Sequence, residues 1–220
     1  AARASDHGGG RRGVGRAAAR GHRRILEAER QGRTARIRSA TAIHARTLCR
    51  GRPGVREDQP DLAELERFIL IDLGVHILDL ARFLFGEVEW IYCQTQKINP
   101  NIKGEDVANI FLTMKNGVNC FTELSYASHL EEETFPQTLM LVEGSEGSIR
   151  LNKDYKITLN QKGKENRHII ADPPHFPWED PVYALVHSSI VACNRDILLD
   201  LLGEKQSENT GKENLKAIEL

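Results

Sequence analysis

The chain has 220 residues, of which 40% are hydrophobic and 28% are charged, and its formal net charge is −1. A chain of this length can bury a substantial core, and the sequence has no apolar run long enough to predict a membrane-spanning helix. The four cysteines are scattered without a C-x-x-C pair, at Cys49, Cys93, Cys120 and Cys193. This usage predicts reduced thiols in a cytoplasmic setting rather than a disulfide framework.

Charge is distributed unevenly along the chain. Residues 1–67 hold sixteen arginines, no lysine and eight acidic residues, whereas residues 68–220 hold four arginines, ten lysines and twenty-three acidic residues. An Arg-rich, Gly-rich start is compatible with a nucleic-acid-binding tail, a transit peptide, a disordered lead-in or a segment that is not native coding sequence. Residues 1–67 contain no aromatic residue. They therefore offer no side chain on which nucleic-acid bases could stack. We therefore predict a lead-in over residues 1–33, disordered or non-native, followed by one domain over residues 34–220.

The first regular elements follow from periodicity and from helix-stop signals. Residues 23–32 form a short helical pattern that ends at Gly32, and this helix closes the lead-in. Residues 35–46 alternate in the manner of a strand. After a Pro- and Gly-containing break, residues 61–86 return to a helical pattern that Gly86 ends.

Strand patterns dominate the next part of the chain. A strand is predicted over residues 88–98, and Asn116-Gly117 lies between two β-prone runs, which indicates a type I′ hairpin. Further strand pairs are predicted around residues 144–147 and at Lys162-Gly163. Two helices follow, one over residues 182–203 and one that begins with a capping box from Thr210 to Glu213. This order predicts an α+β fold, with a largely antiparallel open sheet and helices packed on one of its faces.

Four polar residues, Asp72, His76, Asp79 and Arg82, interrupt the apolar stretch ILIDLGVHILDLARFLFG, residues 69–86. In a helix, Asp72 and His76 share a face, and Asp72 could hold the imidazole in one tautomer as a general acid/base. The alternatives are an ordinary helix-capping role for Asp72 and a hydrogen-bonded core role for His76. Asp79 and Arg82 are predicted to form a structural ion pair. No metal site is predicted, because the other histidines form no H-x-H, H-x-x-x-H or H-E-x-x-H group.

Four stretches together resemble the carboxy-terminal domain of the glucose-fructose oxidoreductase / inositol dehydrogenase (Gfo/Idh/MocA) family. They are ILIDLGVHILDLARFLFG, EDVANIFLTMKNGV, LVEGSEGSIRL and SENTGKENLKAIEL, which span residues 69–220 in the family's order. The resemblance implies an NAD- or NADP-dependent oxidoreductase that acts on a hydroxyl or keto group of a sugar, a cyclitol or a related compound. It also implies that His76 is the acid/base for the substrate hydroxyl and that Asp72 supports it or contacts substrate.

The chain also departs from this family. No G-x-G-x-x-G motif follows a strand pattern, and residues 1–67 contain no lysine that could match the family's catalytic one. We therefore expect a partial chain without the Rossmann cofactor domain, in which residues 34–220 form the substrate and oligomerisation domain and no cofactor binds the chain alone. The expected partners are a sugar-like small molecule and a second copy of the chain through the sheet, with no membrane. The alternative function is a noncatalytic, sheet-mediated assembly module; an Arg-rich nucleic-acid-binding tail fused to an inert domain is a third.

Overall fold

An eight-stranded sheet organises the computed structural model, which describes residues 42–47, 60–128, 138–208 and 210–220. The predicted lead-in, its helix at residues 23–32 and the start of the strand predicted over residues 35–46 lie outside these ranges. The strands are β1 (Ala42–Thr47), β2 (Val88–Gln96), β3 (Val107–Met114), β4 (Asn119–Ser125), β5 (Thr138–Gly144), β6 (Gly147–Leu151), β7 (Lys156–Gln161) and β8 (Arg167–Ile170).

The strand order is β2-β3-β4-β1-β5-β6-β7-β8. Strand β1 is parallel to β4 and antiparallel to β5, and every other neighbouring pair is antiparallel. The predicted α+β class with a largely antiparallel open sheet is confirmed. Three helices accompany the sheet among the described residues: α1 (Val75–Phe85), α2 (Ala184–Leu201) and α3 (Gly211–Ile218).

Strand β3 shows how the sheet separates a buried face from an open one. Ala108, Ile110, Leu112 and Met114 are buried, whereas the residues that alternate with them are more exposed. Because side chains alternate between the two faces of a strand, these four residues form one apolar surface. Helix α1 buries the matching apolar set at Ile77, Leu78, Ala81 and Phe85. These two sets make up much of the core.

The helix predicted over residues 61–86 is interrupted. Its first part is a 3₁₀ turn at Pro60–Glu64; helical structure resumes at Phe68, and a π-turn at Leu70–Gly74 precedes α1. The backbone of Gly104 lies against the chain between Leu65 and Phe68, where the helix is interrupted. A Cβ added at Gly104 would lie 2.6 Å from the Leu65 carbonyl oxygen and 2.7 Å from the Phe68 nitrogen. The break therefore accommodates a loop from elsewhere in the chain, which helical periodicity does not reveal.

The β3–β4 hairpin exists, but its turn is not the predicted type I′. That turn needs a positive φ at both central residues, whereas Gly117 has φ 84° and Asn116 is not among the residues with positive φ. Gly117 N–H donates to the Met114 carbonyl at 2.8 Å, and Met114 N–H donates to the Val118 carbonyl at 2.8 Å. The connection is thus a three-residue loop with glycine in the left-handed position.

Contacts of the Asn116 side chain explain the difference. Its amide donates to the Phe85 carbonyl at 2.9 Å, and its oxygen accepts from Val118 N–H. The Phe85 carbonyl is at the C-terminal end of α1, where carbonyls lack a partner within the helix. The turn is therefore selected by a contact with a distant helix as well as by the local sequence.

An ionic cluster joins α1 to α3. Arg82 is buried, and its guanidinium donates to Asp79 at 3.3 Å, to Glu87 at 3.2 Å and to the Glu213 carboxylate at 3.2 Å. The predicted Asp79–Arg82 pair is confirmed. In the predicted capping box, Thr210 Oγ1 accepts from Glu213 N–H at 3.2 Å. The Glu213 carboxylate, however, binds Arg82 and Lys216.

This cluster should make the stability of the chain depend on acid pH. The hydrogen bond from Arg82 lowers the pKa of Glu87 below its ordinary value of 4.5 in the folded state. A carboxyl whose folded pKa is depressed stabilises the fold above its unfolded pKa, and this contribution is lost as the pH falls through the folded pKa.

We predict that Arg82→Met lowers the free energy of unfolding at neutral pH by about 1–2 kcal/mol, because the carboxylates are nearly half exposed and partly screened. The difference from the unsubstituted chain should shrink as the pH is lowered from neutrality through the depressed pKa of Glu87, because the carboxylate is progressively neutralised there. Urea unfolding over a series of acidic pH values measures this. Lys156→Met is the control, because Lys156 and its partner Asp154 are both mostly exposed. A difference that does not change with pH would contradict the assignment.

Candidate functional site

The start of the helix that leads into α1 is held by a residue from a distant loop. Ile69 N–H donates to the Glu105 carbonyl at 3.0 Å, and Leu70 N–H donates to the Glu105 carboxylate at 3.1 Å. The first N–H groups of a helix have no partner within it, and here no side chain of the segment itself caps them. Glu105, which is buried just before β3, therefore attaches the helix start to the sheet.

The loop that carries Glu105 is itself fixed by partly buried hydrogen bonds. The Asp106 carboxylate accepts from Ile98 N–H at 2.7 Å and from Asn99 N–H at 2.8 Å. Lys97 Nζ donates to the Ile102 carbonyl at 2.9 Å. Because these bonds tie both ends of the β2–β3 loop together, the loop can act as a rigid support for the helix start.

Asp72 lies in the π-turn at Leu70–Gly74 that connects this support to α1. A π-turn widens the helix locally, and such turns are frequent at functional sites. Gly74 is buried, and a Cβ placed on it would lie 3.4 Å from Leu124 Cδ1 of β4. The wide turn thus lies directly against the sheet, where Asp72 can reach a residue at the end of β4.

That residue is Tyr126, whose hydroxyl donates to the Asp72 carboxylate. Tyr126 N–H donates to the Asp106 carbonyl at 2.8 Å, and its ring lies 5.3 Å from the ring of Phe68 between centroids. The tyrosine is therefore held by its main chain, its ring and its hydroxyl. It orients Asp72 at the beginning of the helix.

His76 is exposed in the first turn of α1. The structure brings His76 and Asp72 onto neighbouring turns. Within the described part of the chain, however, the hydrogen bond of the Asp72 carboxylate goes to Tyr126 and not to the imidazole. Sequence reasoning did not identify Tyr126, because it is 54 positions from Asp72 and no local pattern connects the two residues.

The cysteines of the described residues do not add a nucleophile to this site. Cys93 and Cys120 are free thiols. Burial raises the pKa of Cys120 to about 11, so its thiol stays protonated near neutral pH. Burial also raises the pKa of Cys93 on β2.

The described residues supply neither a metal centre nor a dinucleotide cradle. They contain no group of three His, Cys, Asp or Glu residues arranged to hold a metal ion. Their consecutive strands are joined mostly as antiparallel pairs, whereas a dinucleotide loop lies between a parallel strand and a helix. None of the helices described is both long and apolar enough to span a bilayer.

We predict that Tyr126→Phe destabilises the chain by about 1–2 kcal/mol, because the half-buried Asp72 carboxylate loses a donor. The free energy of unfolding in urea measures this effect. Tyr92→Phe is the matched control, since Tyr92 is 55% exposed on β2. If the two variants are equally stable, the Tyr126 hydroxyl does not hold Asp72 in solution.

Comparison with known proteins identifies relatives of this chain. The family model for the GFO/IDH/MocA C-terminal domain matches residues 22–150, which confirms the predicted family; the match begins before residue 69 and ends at residue 150, whereas the resemblance was predicted over residues 69–220. D-apiose dehydrogenase of Paraburkholderia graminis is 39% identical over 180 residues, which are 82% of this chain and 48% of that protein. D-apiose dehydrogenase of Rhizobium rhizogenes is 38% identical over 74% of this chain and 47% of its own length.

Solved structures show the same fold. An oxidoreductase from Agrobacterium radiobacter, in complex with NAD+, L-tartaric acid and magnesium, has a TM-score of 0.76 and 32% identity, over 89% of this chain and 55% of that one. A levoglucosan dehydrogenase in complex with NADH has a TM-score of 0.66 at 14% identity, over 87% of this chain and 56% of that one. The chain spans about half the length of the curated relatives it matches. It belongs to the GFO/IDH/MocA C-terminal domain family.

Proposed function

We propose that this chain is the substrate-handling part of an NAD- or NADP-dependent dehydrogenase that oxidises a hydroxyl group of a small sugar or a related compound. The observation that carries the proposal is the exposed imidazole of His76, one turn after an Asp72 that is fixed by Tyr126. D-apiose is the first substrate to test, because both curated relatives are D-apiose dehydrogenases.

In this proposal His76 takes up the proton of the reacting hydroxyl. An imidazole changes protonation near neutral pH and is the side chain most often used for such transfer. Its exposure at the start of α1 leaves it accessible to a substrate. The hydroxyl oxygen then becomes the carbonyl oxygen of the product as its carbon is oxidised.

Asp72 would position the substrate in this proposal. One carboxylate oxygen accepts from Tyr126, which leaves the other to accept from a second sugar hydroxyl. A charge-assisted hydrogen bond of this kind is shorter and stronger than a neutral one. Since Tyr126 fixes the carboxylate before substrate arrives, little ordering is needed on binding.

NAD or NADP is the expected cofactor, because two of the similar structures contain NAD+ or NADH. The described residues do not fit a dinucleotide, since their hairpin-linked strands lack a glycine-rich turn that leads into a helix. The cofactor would be held outside the described residues. In this proposal the described residues accept the proton of the substrate hydroxyl and orient the substrate.

We predict that His76→Gln lowers kcat for D-apiose with NAD+ by about 10²–10⁴-fold in the intact gene product, because the acid/base is removed. Binding of the sugar should change by only a few-fold, since glutamine retains hydrogen-bonding capacity. Steady-state NADH formation and calorimetric titration of the sugar measure the two effects. His168→Gln on β8 is the control, because His168 is also exposed. Unchanged kcat in His76→Gln would refute the role of His76.

We also propose that the open face of the sheet pairs two copies of the chain. Trp90, Tyr92, Phe111 and Phe121 form a connected set of rings on β2, β3 and β4. Trp90, Tyr92 and Phe121 are 52%, 55% and 43% exposed. Exposed apolar patches of this kind mark interaction surfaces, and a symmetric pair would cover the same patch on both copies.

We predict that Trp90→Arg shifts the chain from dimer to monomer, because a charge within this patch must be desolvated on pairing. Sedimentation velocity over a concentration series measures the change. Phe83→Arg is the control, since Phe83 is 70% exposed on α1 rather than on the sheet. A chain that is monomeric before substitution would exclude the pairing.

A further inference from the structure

A second group of ordered polar and aromatic residues lies in the loop before α2, and neither the acid/base proposal nor the pairing proposal uses it. Its centre is the tight turn Phe176-Pro177-Trp178-Glu179. Glu179 N–H donates to the Phe176 carbonyl at 3.1 Å, and Phe176 N–H donates to the Glu179 carboxylate at 2.9 Å. The other carboxylate oxygen lies 2.6 Å from His175 Nδ1. The ring of Pro177 fixes the φ angle of that residue. The turn is therefore held by these hydrogen bonds and by a fixed backbone angle.

Glu179 stays anionic in this turn. Its side chain is 8% exposed. The hydrogen bond from Phe176 N–H, together with His175, lowers the pKa of Glu179 below its ordinary value. Both oxygens of the Glu179 carboxylate are therefore used within the turn. The side chain that the turn exposes is that of Trp178.

Trp178 is held in place and yet is 63% exposed. Its ring stacks on Phe176, with 5.2 Å between centroids and 19° between planes. Tyr183, close by in the chain, is 53% exposed. An exposed aromatic ring does not contribute the stabilisation that burying its apolar surface would give. Rigid aromatic side chains of this kind are typical anchors of binding sites.

His187 adds a polar group to these rings. Its ring lies 5.6 Å from that of Trp178 and 6.4 Å from that of Tyr183. The Nδ1 atom of His187 is buried and has no hydrogen-bond partner, which is rare and costs free energy. His187 therefore places an imidazole beside both exposed rings.

We propose that Trp178, Tyr183 and His187 form a sugar-binding platform. The C–H face of a sugar ring carries partial positive charge and matches the negative face of the Trp178 ring. The Tyr183 hydroxyl and the His187 imidazole then bond sugar hydroxyl groups. The choice of a sugar over another ring-shaped ligand rests on the proposed function, because the platform itself selects a small ring with polar edges.

The chain offers a direct reporter for this platform, since it contains only two tryptophans, Trp90 and Trp178. Trp90→Phe keeps an aromatic ring in the proposed pairing patch and leaves Trp178 as the only tryptophan, whereas Trp178→Phe leaves only Trp90, which lies on β2 of the sheet. D-apiose is titrated into each variant of the 220-residue chain while the tryptophan fluorescence is recorded. We expect a saturable change in Trp90→Phe and none in Trp178→Phe.

Calorimetry of Trp178→Ala supplies a second readout, with about a tenfold weaker affinity expected from loss of the ring contact. Trp178 is mostly exposed, so its truncation should leave the fold intact, which a circular-dichroism melt of the variant checks. Absence of any fluorescence response in the Trp90→Phe variant, or equal affinity in Trp178→Ala, overturns the platform.

The two proposals fail in different ways. If turnover depends on His76 while Trp178→Ala binds D-apiose as tightly as the unsubstituted chain, the platform is wrong and the proposed function stands. If D-apiose binds at Trp178 but His76→Gln turns over at the normal rate, the platform stands and the acid/base assignment fails.

Discussion

The candidate site depends on the two hydrogen bonds by which Glu105 holds the start of the helix. This single residue uses its carbonyl and its carboxylate to bind two N–H groups, at Ile69 and Leu70. Without it, these donors would be left unpaired in a largely buried position, at a cost comparable to a lost hydrogen bond each. The π-turn that carries Asp72 begins at Leu70, so the position of the carboxylate follows from the position of Glu105.

The C-terminal end of α1 is also held by residues from other elements. Asn116 donates to the Phe85 carbonyl from the β3–β4 turn, and the Arg82 cluster ties the same end to α3. Helix α1 is therefore anchored at both ends by residues far away in the sequence. A helix held in this way can present His76 with little motion, which is what a proton-transferring group needs if it is to meet a substrate hydroxyl in a defined geometry.

The sequence predicts those features that arise from local patterns. The two strands on either side of Asn116-Gly117, the stop at Gly86 and the Thr210 cap are all set by neighbours within a few residues, and the structure contains them. Asp72 and His76 stood out because polar residues in an apolar run need partners. The actual partner of Asp72 is 54 positions away, and that of Leu70 is 35 positions away. Such pairs depend on how the strands align, which periodicity does not encode; the π-turn and the Asn116 turn were missed for the same reason.

The central claim is that the anchored helix presents His76 to the hydroxyl of a bound sugar. A crystal structure of the intact gene product with D-apiose and NAD+ tests this most directly. The account predicts a sugar hydroxyl within about 2.6–3.2 Å of an imidazole nitrogen of His76, with Asp72 bonded to both Tyr126 and a neighbouring hydroxyl. A sugar bound in a productive position beside the nicotinamide, with His76 turned to solvent and Asp72 out of reach, would contradict it.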